Sequence, residues 1–134
     1  MAAVAALVLP AATAGAQTYI WDADAGTGGN QDGGGIWQVG TPNWDVGGNA
    51  NQNWTDGNDA VIGVGSGDGG TIAVTGTVSA GTVTLNDPGS VSYTIGGTGT
   101  LETTGNLTKN GSADATLGGT ATFNLGGVRS MAEN

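Results

Sequence analysis

From residue 60 onward the sequence is a series of short runs in which apolar and polar residues alternate, at 60–64, 71–75, 82–85, 91–95, 100–103, 106–108, 115–117 and 121–125. Equivalent positions return at a nearly constant interval: Leu85 to Leu107, Ile95 to Leu117 and Leu101 to Phe123 are each 22 apart, and Ile62 to Leu85 is 23. Alternation is the signature of a strand with one buried face. A fixed longer interval asks for more, because a sandwich gives no reason for it. A coil of short strands does, since it places equivalent inward residues one turn apart. No window has helical periodicity of useful length. The expected fold is all-β, a right-handed parallel β-helix, with a β-sandwich as the alternative.

Such a coil has a weak point at its first rung, where the apolar interior and an unpaired strand edge face water. All four tryptophans of this aromatic-poor chain lie upstream, at Trp21, Trp37, Trp44 and Trp54, among Gly, Asp and Asn. A large indole can cover an apolar bore while its N–H finds a polar partner at the rim, and glycine lets the chain fold back tightly. Residues 17–59 are therefore expected to form an N-terminal cap, 60–127 the coils, and 128–134 a tail. The rival reading of the same four residues is a row of exposed aromatics that contact a glycan.

Before the cap, residues 4–9 are a short apolar run, and Ala14-Gly15-Ala16 has the small-x-small form of a signal-peptidase site. The run is too short to span a bilayer. Residues 1–16 are thus expected to be a signal peptide, although no basic residue precedes the apolar run. A start codon upstream of Met1, or a late start assigned at Met1, would account for that.

Composition narrows the function further. Lys109 and Arg129 stand against eleven carboxylates, a net charge of −9, so nucleic acid and anionic membrane surfaces would be repelled. With no His and no Cys, neither Ser-His-Asp and Cys-His constellations nor thiolate or histidine metal sites can be assembled. The carboxylate pairs Asp22/Asp24 and Asp56/Asp59 are the nearest to a glycosidase arrangement. Aspartates flanked by Gly and Asn more often serve as turn formers. Gly65-Ser-Gly-Asp-Gly-Gly70 fits G-x-G-x-x-G by letter but runs into a strand, so no helix N-terminus would hold a phosphate. A loose calcium set of Asp22, Asp24, Asn30 and Asp32 lacks the ligand in the last loop position, where Gly33 stands. The three N-x-S/T matches are expected by chance in so Asn- and Thr-rich a chain. No enzyme activity, cofactor or metal is expected.

Tyr19-Ile-Trp-Asp22, Gly35-Ile-Trp37, Pro42-Asn-Trp44, Trp54-Thr-Asp-Gly-Asn-Asp-Ala-Val-Ile62, Gly70-Thr-Ile-Ala-Val74 and Val83-Thr-Leu85 together resemble the N-terminal passenger region of autotransporter and autotransporter-associated β-strand-repeat proteins. The resemblance covers roughly residues 17–127. It implies an exported bacterial β-helix displayed at the cell surface or secreted, often in adhesion, with an outer-membrane barrel at the far C-terminus. This chain departs from that pattern after residue 127, where no barrel-type strands follow. The expected function is display or adhesion by a non-enzymatic solenoid module, contacting a surface glycan or protein, with membrane contact only through a part not present in this chain. The alternatives are a carbohydrate-binding module using the tryptophans and a fibre subunit associating through its C-terminal coil.

Overall fold

A computed structural model describes residues 15–48 and 50–131, and over these the chain is all-β, with thirteen strands and no helix. Strands β1 (Thr18–Trp21), β2 (Gly35–Trp37) and β3 (Trp44–Asp45) come first. Three turns follow: β4 (Asp59–Ile62), β5 (Thr71–Val74) and β6 (Thr77–Ala80), then β7 (Val83–Leu85), β8 (Thr94–Gly97) and β9 (Thr100–Thr103), then β10 (Asn106–Asn110), β11 (Thr116–Leu117) and β12 (Thr122–Asn124). β13 (Gly127–Met131) opens a fourth. Each turn gives one strand to each of three sheets, ordered β13-β10-β7-β4-β1-β3, β11-β8-β5-β2 and β12-β9-β6. Every strand pair except β1–β3 is parallel. This is a β-solenoid of roughly three turns, and the β-sandwich alternative is set aside.

The alternation read from the sequence becomes stacks of inward side chains. Ala60, Val83, Leu107 and Val128 follow one another in the first sheet, Ile72, Ile95 and Leu117 in the second, and Val78, Leu101 and Phe123 in the third. Burying an Ile or Leu of this kind contributes about 1.5–3 kcal/mol relative to exposure, which makes these stacks the main source of stability. The corners are tied by carboxylates reaching one turn onward. Asp56 accepts the Ser79 N–H (2.9 Å), Asp59 the Thr82 N–H (2.8 Å) and Asp87 the Ser112 N–H (2.8 Å). Asp56 and Asp59 are thus engaged in corners, the role expected of turn aspartates.

Two features differ from the sequence-based expectation. Ile62/Leu85, Ile95/Leu117 and Leu101/Phe123 are true register partners, but Leu107 lies beside Val83, and Lys109 takes the place beside Leu85. In register, Ala80 to Val83 is three residues but Thr103 to Leu107 is four, and Val83 to Ile95 is twelve but Leu107 to Leu117 is ten, so the interval from the second turn to the third is 24 in the first sheet and 22 in the second. The segment boundaries also blur. β1 and β2 pair parallel with β4 and β5, so residues 17–59 contain a partial first rung, and the segment set aside as a tail lies largely in β13, beside β10. The expected signal segment lies almost entirely outside the described residues.

Candidate functional site

The inward faces of β1, β2 and β3 bring Trp21, Trp37 and Trp44 together, and Trp54 joins them through a parallel bridge to Val39. All four are 0% exposed. Trp44 is the hub, its ring 5.2 Å from Trp21, 5.0 Å from Trp37 and 4.9 Å from Trp54 between centroids. Tyr19 stands edge-on to Trp54 at 5.3 Å. These are separations at which offset and edge-to-face rings attract. Trp37 lies in register with Val74, so the cluster rests directly on the first complete rung. The Trp21 indole donates to the Gly33 carbonyl (2.9 Å) and that of Trp54 to Asp56 (3.1 Å). Those of Trp37 and Trp44 have no acceptor. Rings buried on every side leave no face on which a sugar could stack, and the glycan-contact reading of Trp21, Trp37, Trp44 and Trp54 finds no geometry in its favour.

Beside the cluster a polar cleft of about 240 Å³ is lined by Asp22, Asn30, Asp45 and Asn51, among others. Its carboxylates are occupied by backbone. Asp22 accepts the N–H groups of Asp24 and Gln31 (both 3.1 Å), and Asp45 that of Gly48 (2.8 Å). Asp24 turns to its own loop, accepting from the Thr27 hydroxyl (2.8 Å) and the Gly26 N–H (2.9 Å), and these bonds hold its carboxyl below the usual range. Asp32 points elsewhere. The calcium set of Asp22, Asp24, Asn30 and Asp32 therefore does not converge, and among the described residues no three of His, Cys, Asp and Glu gather around a common point.

Asp32 belongs to a polar pair that sequence reasoning missed. Tyr93, 1% exposed, donates its hydroxyl to Asp32 Oδ1 (2.8 Å) and accepts the Gly33 N–H (3.0 Å), while Asp32 Oδ2 is buried without a partner. The only signal was a lone tyrosine among aliphatic coils. Burial raises the Asp32 carboxyl above its ordinary value, partly opposed by the bond from Tyr93, and burial likewise raises the Tyr93 phenol. A carboxyl raised in the folded state keeps its proton while the unfolded chain has lost it. The site therefore contributes stability in acid that is lost as pH rises through the unfolded value near 3.8 toward the folded one. The stability difference between wild type and the non-titrating Asp32→Asn is accordingly expected to move in favour of wild type as pH is lowered from 7 to below 4, in urea titrations at each pH. A difference independent of pH would contradict this.

At the opposite end of the stack a cleft of about 340 Å³ opens between Leu85, Leu107, Leu117, Val128, Lys109 and Arg129. Lys109 occupies an inward position and bonds Asp87, whose carboxyl is held low by that bond and by the N–H groups of Ala113 and Ser112. No protein-family model, curated protein or solved structure matches the chain.

Proposed function

We propose that the chain is an exported, non-enzymatic β-solenoid module of a bacterial surface or secreted protein, acting in display or adhesion. The observation that carries this reading is the polarity of the stack. Its N-terminal end is sealed by indoles that are 0% exposed, directly after a segment of signal-peptide type, and its rungs then run in parallel register to the other end. A sealed start followed by repeating rungs makes a rigid spacer whose outer positions vary without disturbing the core. Those outer positions are mostly Thr, Ser and Asn here, a surface kept wet with few charges. The resemblance to autotransporter passenger regions supports the same reading.

Export is tested by expressing residues 1–134 in a Gram-negative host and taking the intact mass of protein recovered outside the cytoplasm. The expected product begins at Gln17, because Ala14 and Ala16 occupy the two positions that require small side chains. Cytoplasmic product that retains residues 4–9 would overturn export. Adhesion is tested separately, by binding of the purified module to immobilised glycans, matrix proteins and cells.

A further inference from the structure

Asp22 and Asp45 follow Trp21 and Trp44 in sequence and, by strand alternation, face away from the indoles. Trp21 pairs with Trp44 and Ile20 with Asp45 across the antiparallel β1–β3 pair, and the Asp22 N–H donates to the Asn43 carbonyl (2.9 Å), so the two aspartates are diagonal neighbours. Such neighbours lie about 7–8 Å apart, near enough for both side chains to reach one ion. Both line the polar cleft of about 240 Å³, yet they are only 4% and 8% exposed. One oxygen of each, Oδ1, is taken by backbone amides. Oδ2 of each accepts no hydrogen bond among the described residues, and neither is enclosed in the core as Asp32 Oδ2 is. The cleft walls add the half-buried side-chain amides of Asn30 and Asn51. Asn51 Nδ2 donates to the Asp22 carbonyl (3.3 Å), which leaves Oδ1 of that amide as an uncharged acceptor.

Two carboxylates withdrawn from water need a countercharge. The chain does not supply one here. Its only two cationic side chains, Lys109 and Arg129, line the cleft at the opposite end of the stack, and Lys109 is bonded to Asp87. Asp24, close by in sequence, is negative too and turns to its own loop, and a net charge of −9 makes the field of the whole chain favour a cation. We propose that Asp22 and Asp45 hold a calcium ion in this cleft through their Oδ2 atoms, with the side-chain oxygens of Asn30 and Asn51 and water completing the shell. Oxygen ligands on adjustable Gly-rich walls suit calcium, whereas magnesium requires a near-ideal octahedron that such loops do not enforce. With only two carboxylates the affinity falls in the weak range of extracellular modules, about 10⁻⁴–10⁻³ M. The sequence pointed to Asp22 with Asp24, Asn30 and Asp32; the fold keeps Asp22 and Asn30 and puts Asp45 and Asn51 in place of the other two. The inference rests on the geometry of the cap and is independent of export.

Terbium(III), which occupies calcium sites and is sensitised by nearby indoles, reads the site directly, because Trp21 and Trp44 immediately precede the two aspartates. The full chain is first freed of metal with a chelator and kept in about 0.15 M sodium chloride, which screens diffuse attraction. Terbium emission excited through tryptophan is expected to saturate, and calcium should displace the terbium in the millimolar range, with magnesium weaker by about tenfold or more. Asp45→Asn, which keeps the side-chain shape and is checked for folding by circular dichroism, should weaken calcium by about tenfold or more. Asp24→Asn and Asp114→Asn change exposed carboxylates outside the proposed shell and should leave calcium binding as it is. Calcium should also slow hydrogen exchange at residues 22–31 and 45–48 of the wild-type chain, a readout that needs no variant. Emission that does not saturate, a loss with Asp24→Asn as large as with Asp45→Asn, or exchange that calcium leaves unchanged would overturn the proposal in favour of diffuse attraction to an acidic surface.

Discussion

Trp44→Ala is expected to lower the free energy of unfolding by about 3–5 kcal/mol, the usual cost of truncating a buried aromatic. For a domain whose total stability is about 5–15 kcal/mol, that is a large share. Trp44 is the right position because its ring contacts the other three indoles, so its removal leaves a cavity that no single neighbour can fill. One term runs the other way, since the Trp44 N–H is buried without an acceptor and its loss relieves about 1–3 kcal/mol. The cavity should win. Trp44→Phe, which keeps most of the apolar volume and discards the orphan donor, should then cost far less than Trp44→Ala. Exposed Thr71→Ala serves as the reference at a few tenths of a kcal/mol. Urea midpoints for the three variants check the order, and equal midpoints for Trp44→Ala and Thr71→Ala would remove the cluster's role in closing the stack.

Gly97→Ala is expected to cost about 3 kcal/mol or more, although it adds one carbon to a residue at the end of a strand. Gly97 has φ of +96°, which L side chains rarely adopt, and a Cβ there would be driven into the backbone carbonyl oxygen of Val74 one turn below. That oxygen accepts the N–H groups of Thr98 (3.2 Å) and Gly99 (2.9 Å), so it cannot yield without loosening the rung. Gly76 separates the two causes. It also has positive φ, +67°, but an added Cβ would meet nothing within 4 Å. Gly76→Ala should therefore cost only about 1–2 kcal/mol, the conformational term alone. Thermal or urea unfolding of the pair measures the difference, and equal costs would show that close approach of the turns is not what fixes Gly97.

How much of this was legible in the sequence depended on where insertions fall. The step from the second sheet to the third is six residues in every turn, from Ile72 to Val78, from Ile95 to Leu101 and from Leu117 to Phe123, so the period survives there and finds the correct partners. The corners flanking the first sheet vary in length. A fixed interval therefore matched Leu85 with Leu107, where the structure puts Lys109. The tryptophans were conspicuous as large apolar groups in a glycine-rich segment, but nothing local indicated which indoles would find acceptors. The Asp32–Tyr93 bond, across 61 positions, was invisible for the same reason, because it exists only where the corners before β2 and β8, two rungs apart in the second sheet, come together.

By itself the sequence determined an all-β chain of alternating short runs at a repeating interval, without the residue types for thiol or imidazole chemistry. Its strand pattern follows from residue type, and residue type is local. Only the tertiary structure decided the register of the first sheet, the use of the tryptophan segment as a partial rung, and which apolar residues are buried. Val78 and Val128 are the same residue in similar alternating runs, yet one is 0% exposed and the other 65%. Val78 has Leu101 beside it on the next turn, and among the described residues nothing lies beyond Val128. In a solenoid, burial belongs to the neighbouring rung rather than to the residue, which is why alternation alone could not predict it.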